Sequence, residues 1–279
     1  YFVRIAAGGG KTRVINDWIA TGLRGVRTST GRPWRVLWIS KDWQLLAQAA
    51  ADLCQRYEDG PQWIGRVGGP AGLKRLPEDR SADIVYSSIH TWVQRRRTDF
   101  RRQRFDVVII DEVHWGEGRP SYAKLLRRYR EQAVFVGMTA TPRSWSDFTS
   151  VCRGLDFADL VERDVLARPV LETVDTGVAW APQTAGTRGD FRRDSLRELA
   201  RSKRRTRLLA QTYTAHAHRY GKTLVFACDI DHAHQIAREF RKAGVAAEAL
   251  HADLSPAERA QVIRRFRTPP DASTSELRV

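Results

Sequence analysis

Two stretches of this sequence combine residue types that can do chemistry together. The first is Ile5-Ala-Ala-Gly-Gly-Gly-Lys-Thr12. Gly8, Gly9 and Gly10 let backbone N–H groups curl around an anion, and a helix starting just after them adds its positive dipole end. Lys11 would reach the outer phosphates of a nucleotide, and the Thr12 hydroxyl would ligate a divalent cation. The strict G-x-x-x-x-G-K-[ST] spacing is not met, because Ile5 stands at the first glycine position. Taken alone, the stretch also reads as a flexible glycine turn. The second stretch is Phe105–His114, in which the apolar run Val107–Ile110 is followed by Asp111 and Glu112. Carboxylates at the C-terminal end of a buried strand lie where open α/β sheets bind ligands. Asp111 can hold Mg²⁺, and Glu112 can orient and deprotonate an attacking water. A solvated acidic turn would explain the carboxylates but not the phosphate loop upstream. Together the two stretches signal nucleotide hydrolysis.

Positioning these groups requires parallel strands and crossover helices. Short β-branched runs predict strands at Phe2–Ala6, Val36–Ile39, Ile84–Tyr86, Val107–Ile110, Val134–Gly137, Thr223–Phe226 and Ala246–Leu250. Helical periodicity fills the gaps. Val14, Ile15, Trp18 and Ile19 share a face after the glycine loop. Leu45, Leu46, Ala49 and Leu53 follow Asp42, an N-cap residue. Ala233, Ile236, Ala237 and Phe240 follow Asp231 and stop at Gly244, placed for a C′ glycine. Ser255-Pro256 with Glu258 spells a capping box that opens a helix to about Arg267. The alternation breaks between Leu166 and Asp190, where Pro169, Gly177, Pro182, Gly186 and Gly189 fall. The expectation is two α/β domains in tandem, 1–166 and 167–279.

Length and composition bound what else is possible. The chain has 279 residues and a formal charge of +15, with 40 of its 47 basic residues Arg. The hydrophobic content of 42% supports a buried core and excludes a disordered basic tail. The apolar runs are strand-sized, so no membrane span is expected. Cys54, Cys152 and Cys228 are scattered, which excludes a disulfide scaffold and a Cys-rich zinc site and suits a reducing cytoplasm. His216-x-His218 and His232-x-His234 fall in helical patterns, where i and i+2 diverge, so no zinc site is expected. A restriction-type nuclease places a carboxylate two residues before a lysine, and none of the 7 lysines has one. The charge itself reads two ways, as a nucleic-acid partner or as an Arg-rich solvated surface. Met138 is the only methionine, so Tyr1 is not a translation start and a fragment is expected.

The ordered motifs resemble those of superfamily-two helicases, the DExH/DEAD-box group, and most closely the bacterial and phage branch containing the motor parts of type I and type III restriction enzymes. Ala6–Thr12 matches motif I with Ala7 where threonine is usual; Leu37–Leu46 resembles motif Ia and Val85–Thr91 motif Ib. Asp111–His114 is motif II with Val113 in place of alanine, and Gly137–Pro142 is motif III. Lys222–Ala227 looks like motif IV, and Leu250–Arg259 matches the segment that follows it.

The resemblance implies tandem RecA-like parallel-sheet domains of the P-loop NTPase class, the second incomplete, with ATP and Mg²⁺ as ligands. It implies that Lys11, Asp111 and Glu112 serve hydrolysis, and that His114, Thr139 and Thr141 couple it to a nucleic-acid surface. Ser40, Lys41, Ser87 and Ser88 lie just past strand ends, where they could hold backbone phosphates or cap helices. Arg95, Arg96, Arg97, Arg101, Arg102 and Arg104 read as a solvated face. Arg192, Arg193, Arg197, Arg201, Lys203, Arg204, Arg205 and Arg207 are expected on the first helix of the second domain, as a nucleic-acid contact. Trp115 and Trp145 could stack on bases. The family's motifs V and VI lie beyond Glu276–Val279, so this chain alone is expected to turn ATP over poorly. DNA is the preferred track, with RNA open and restriction or repair subunits as candidate partners. The alternatives are a duplex-translocating motor that separates no strands and a nucleic-acid-binding remnant that no longer hydrolyses ATP.

Overall fold

The computed structural model describes residues 1–69, 76–94, 99–116, 118–141, 148–177, 179, 184–185, 190–268 and 279. Arg95, Arg96, Arg97, Pro142, Trp145, Pro182, Gly186, Gly189 and the segment 276–278 therefore lie outside the described residues, as does the side chain of Arg101. The chain divides into two compact units, Tyr1–Val170 and Leu171–Val279.

In the first unit, β1 (Phe2–Arg4) leads through the glycine loop into α1 (Lys11–Thr30), and β2 (Val36–Ser40) into α2 (Trp43–Arg56). A short α3 (Gly60–Trp63) precedes β3 (Ile64–Arg66); β4 (Ile84–Ser88) runs into α4 (Ile89–Gln94). The acidic strand is β5 (Val107–Asp111), followed by a 3₁₀ turn at Val113–Trp115 and by α5 (Pro120–Tyr129). Next come β6 (Val134–Thr139), β7 (Val151–Arg153) and α6 (Phe157–Glu162). Among the described residues, seven strands form one sheet in the order β3-β4-β2-β5-β6-β1-β7. Every pairing in it is parallel. A parallel sheet covered on both faces needs continuous apolar strands. β2, β4 and β5 fit that need, since none of their residues is exposed.

One face of the sheet packs on α1 and α2, where Ile15, Ile19, Leu23, Leu46 and Leu53 meet Trp38, Tyr86 and Ile109. The other face packs on α4 and α5, where Trp92, Leu125 and Tyr129 meet Val85, Val108 and Ile110. Two members of the expected α1 face are not core. Val14 is 48% and Trp18 38% exposed, and Trp18 leans on Trp34 instead. A helix on a sheet buries a stripe, and i+4 steps from Ile15 to Ile19 and Leu23 define it. Asp42 caps α2, its carboxylate accepting from the Gln44 N–H. β3 and β7 had no apolar run long enough to announce them.

The second unit begins with a two-residue antiparallel pair, β8 (Thr184–Ala185) with β9 (Asp190–Phe191). Helices follow: α7 (Arg193–Ala200), α8 (Lys203–Ala215), α9 (Ala217–Tyr220), α10 (Ile230–Lys242) and α11 (Pro256–Arg267). The single basic helix expected here is two, because Ser202 accepts from the Arg205 N–H and starts α8 afresh. α10 starts earlier than Asp231 suggested, with Asp229 as its cap, and Gly244 adopts the expected left-handed φ of 79°. α11 carries the capping box of Ser255 and Glu258. Thr223–Phe226 and Ala246–Leu250 are not assigned as strands. Ala246 O and the Glu248 N–H nevertheless bond Val279 N–H and O at 3.1 and 2.9 Å, the pattern of a parallel pairing centred on Ala247. Tyr213, Ile236, Ala237, Phe240 and Ala247 form this unit's core.

Candidate active site

The C-terminal ends of β1, β6 and β5 lie side by side, with Arg4 opposite Thr139 and Asp111 opposite Met138. That register brings the glycine loop, motif III and the acidic pair to one edge of one sheet. The loop has the backbone a phosphate cradle requires. Gly8 and Gly10 hold φ of 80° and 84°, a region that L side chains rarely adopt. Gly9 is confined differently: a Cβ there would come within 2.7 Å of Ile5 Cγ2 and 3.1 Å of Ala6 O. Gly10 is the N-cap of α1 and has no side chain with which to cap that end, and the first turn contains no acidic residue. The opening N–H groups of this 20-residue helix are therefore of the kind that suits an anion.

Asp111 is 7% exposed and its carboxyl is pushed up to about 6. Burial is the main cause and the neighbouring Glu112 charge the next, opposed by the Glu112 backbone N–H and by Lys11. Lys11 and Asp111 thus feel one another across the strand edge. The buried Asp111 carboxylate and the Thr12 hydroxyl at the start of α1 are oxygen donors of the kind a hard divalent cation takes.

Glu112 departs from ordinary backbone geometry, with φ 50° and ψ 50°. A non-glycine residue in this region is uncommon and costs conformational energy, which the surroundings must offset. Its carboxylate is held: Thr139 Oγ1 donates to Oε2 at 3.1 Å, and His114 Nδ1 lies 3.2 Å from the same oxygen. Thr139 is fully buried and its hydroxyl is saturated. Having given its one proton to Glu112, it accepts from the Thr141 N–H at 3.1 Å and faces His114 Nδ1 at 2.7 Å. The Nδ1–H tautomer of His114 completes that set. Glu112, His114, Thr139 and Thr141 are therefore one hydrogen-bonded group, in which Thr141 contributes its backbone N–H.

The residues expected to grip phosphates separate. Ser40 and Ser87 are fully buried, and Ser88 nearly so. Ser40 Oγ accepts from the Asp42 N–H, Ser87 Oγ donates to Val67 O, and Ser88 Oγ accepts from the Thr91 N–H. These hydroxyls brace loops and a helix start. Lys41 is exposed, and its Nζ stands 4.4 Å from the centroid of the Trp115 ring. In the second unit, exposed Arg204 lies over Gly177 and lines a cavity of about 470 Å³ with Lys203 and Arg207. Arg205 is half-buried and faces Cys228 and His232 instead. Burial, with help from Arg205, holds the His232 imidazole below its ordinary value against the pull of Asp229.

A clamp not evident from the sequence motifs sets the strand ends. Asp106, just before β5, pairs bidentately with Arg32 at 2.7 and 2.9 Å and accepts from the Arg35 N–H at 2.9 Å. It fastens the entry of β2 to that of β5, so Lys41 and Asp111 leave the sheet in fixed register. An acidic residue directly before an apolar strand was the available signal.

Residues 1–144 match the family described as type III restriction enzyme, res subunit. The chain belongs to that family. The match spans the glycine loop, the acidic strand and motif III. A Schizosaccharomyces pombe protein named as the mitochondrial ATP-dependent helicase irc3 is 25% identical over 200 residues, covering 67% of this chain. The chain spans 32% of that relative's length. Among solved structures, the DEAD-box helicase Mss116 bound to ssRNA and UDP-BeF aligns over 99% of this chain and 56% of its own, at TM-score 0.55 and 14% identity. A variant of S. cerevisiae Dbp5 bound to RNA and ADP BeF3 aligns over 99% and 64%, at TM-score 0.51 and 14% identity. At that identity the two structures show a shared α/β fold. Among the described residues, no helix is long and apolar enough to cross a membrane.

Proposed function

We propose that this chain is the ATP-hydrolysing motor core of a nucleic-acid helicase or translocase. The observation that supports it best is the group of Glu112, Thr139 and His114 beside buried Asp111, at the same sheet edge as an uncapped glycine-loop helix. The glycine loop and the first turn of α1 bind the phosphates, and Lys11 reaches the outermost of them. Asp111 and Thr12 would hold Mg²⁺, which when bound neutralises charge on the phosphate oxygens. Glu112 orients the attacking water and takes its proton. Thr139 and His114 fix the carboxylate for that task.

DNA is the preferred track, with restriction or repair subunits as partners. The family match favours it, and the exposed Lys41 and Arg204 supply phosphate contacts that carry no base information. The reading places the protein in the cytoplasm, where its free thiols stay reduced. Glu112→Gln tests the reading: strand-stimulated ATP hydrolysis should drop by about 10²-fold or more. Undiminished hydrolysis would take the water-activating role away from Glu112, and an unmodified protein with no strand-stimulated hydrolysis to lose would leave a nucleic-acid-binding module. Comparing oligodeoxynucleotides with oligoribonucleotides of one sequence assigns the track.

A further inference from the structure

Trp115 touches the hydrolytic group from outside it, and Lys41 touches Trp115. Lys41 follows β2 and Trp115 ends the 3₁₀ turn after β5, on neighbouring strands of the sheet. The Lys41 ammonium lies over the indole at 4.4 Å, and among the described residues no carboxylate pairs with it. Trp115 is 47% exposed, and its ring leans on that of His114, with centroids 5.3 Å apart at 40°. His114 in turn contacts Glu112 and Thr139. A continuous set of contacts therefore runs from an exposed cation to the carboxylate that activates water.

We propose that Trp115 is a positioning residue that couples nucleic-acid binding at Lys41 to the Glu112 carboxylate. The inference rests on the motor reading above and specifies how the strand is sensed. With no strand present, Lys41 rests on the indole and the His114–Glu112 contact is closed. A backbone phosphate offers the ammonium a full negative charge, a stronger partner than an exposed ring face. Lys41 leaves the indole, and the turn that carries both rings resets. Its ends favour this. Glu112 enters it in the left-handed region, and Gly116 closes it with an N–H bond to Val113 O at 2.8 Å. Gly116 is itself pinned, since a Cβ there would meet Tyr122 at 2.6 Å. The pinned turn pivots about Glu112, so a shift of Trp115 carries His114 and changes the hold on the carboxylate.

The contact path makes a claim about linkage, which is reciprocal between the two sites. The full chain is titrated with fluorescein-labelled oligothymidylate, with and without the non-hydrolysable imido analogue of ATP plus Mg²⁺. The ratio of the two dissociation constants measures the coupling directly. In the unmodified protein that ratio should fall in the ordinary allosteric range of about 5 to 150. In W115A and in K41Q it should collapse below about 2, however much K41Q weakens oligonucleotide binding itself. W115F keeps an aromatic face and should lie between. The double variant should show no loss beyond that of W115A. A ratio in W115A equal to that of the unmodified protein overturns the proposal, provided oligothymidylate stimulates hydrolysis in the unmodified protein. If neither oligothymidylate nor oligouridylate stimulates any hydrolysis there, the motor reading falls and the inference falls with it. Should W115A fail to fold, K41Q decides alone, and a retained ratio overturns the proposal.

Discussion

In the first unit, β5 has a hydrogen-bonded neighbour on each side and none of its residues is exposed. In the second, Thr223–Phe226 is as apolar, yet Leu224 is 70% and Phe226 92% exposed. The alternate residues Val225 and Ala227 do pack on the core around Tyr213 and Phe240. One face of that segment is covered and the other is bare, whereas β5 is covered on both. Apolar composition is thus a property of a segment, while burial is a property of its neighbours. The contrast extends to chemistry. The first unit gathers its functional groups on adjacent strand ends, whose spacing the sheet fixes. The second presents its cations on helices, where Arg204 and Arg205 point to different surroundings.

If hydrolysis belongs to the first unit alone, losses there should dwarf any from the second. Lys11→Ala removes the cation proposed to reach the phosphates, which also acts on the Asp111 carboxyl. Stimulated ATP hydrolysis should fall by about 10²–10³-fold, the scale of deleting one preorganised charge-stabilising donor. Arg204→Ala should leave unstimulated hydrolysis within about twofold and raise the oligonucleotide concentration needed for stimulation. A steady-state titration separates the two. Equal losses of unstimulated rate would erase the distinction between the units.

Packing supplies the next contrast. Ile109 is fully buried at the centre of the sheet, and replacing it by alanine should cost about 2–5 kcal/mol. Phe226 presents a larger side chain to solvent, and Phe226→Ala should stay within about 0.5 kcal/mol. Tryptophan emission during urea unfolding reads the first unit, because eight of the nine tryptophans lie in residues 1–170. Far-ultraviolet dichroism reads both units. A large loss for Phe226→Ala would mean that a partner covers its ring in solution.

These elements also show what could be read from the amino-acid string. The glycine loop, the acidic pair and the capping box of α11 were legible because each demands particular residue types at fixed spacing. Ser40, Ser87 and Ser88 were not, since a serine after a strand has the same neighbours in sequence whether it meets a phosphate or a backbone N–H. Only the path of the next few residues decides, and here it turns each hydroxyl inward. The left-handed Glu112 was hidden for another reason. Its conformation is imposed by the turn to Trp115 and held by Thr139, a residue 27 positions away. Ser202 was masked by the arginines around it, although serine is a strong N-cap and the break in the basic helix falls there.

The smallest expected effect concerns how firmly the strand ends are held. Hydrogen bonding from Arg32 keeps the Asp106 carboxyl below its ordinary value, with the Arg35 N–H adding to this against a burial cost. A carboxylate whose folded pKa is depressed stabilises the fold above its unfolded value, near 4, and loses that contribution as pH falls through the folded value. The unfolding midpoint of the first unit should therefore drop on acidification from pH 5 to pH 3 more steeply in the unmodified protein than in Asp106→Asn. At pH 7 the variant should be modestly less stable, since Arg32 is exposed and its pairing is screened by solvent. Raising salt at pH 7 should narrow that gap. Glu172 in the second unit is depressed too, through Tyr220 and then Arg219, but it is an exposed residue. Its replacement by glutamine should leave the acid response of tryptophan emission unchanged. An equal response from Asp106→Asn and Glu172→Gln would show that the β2–β5 clamp contributes nothing specific to the first unit.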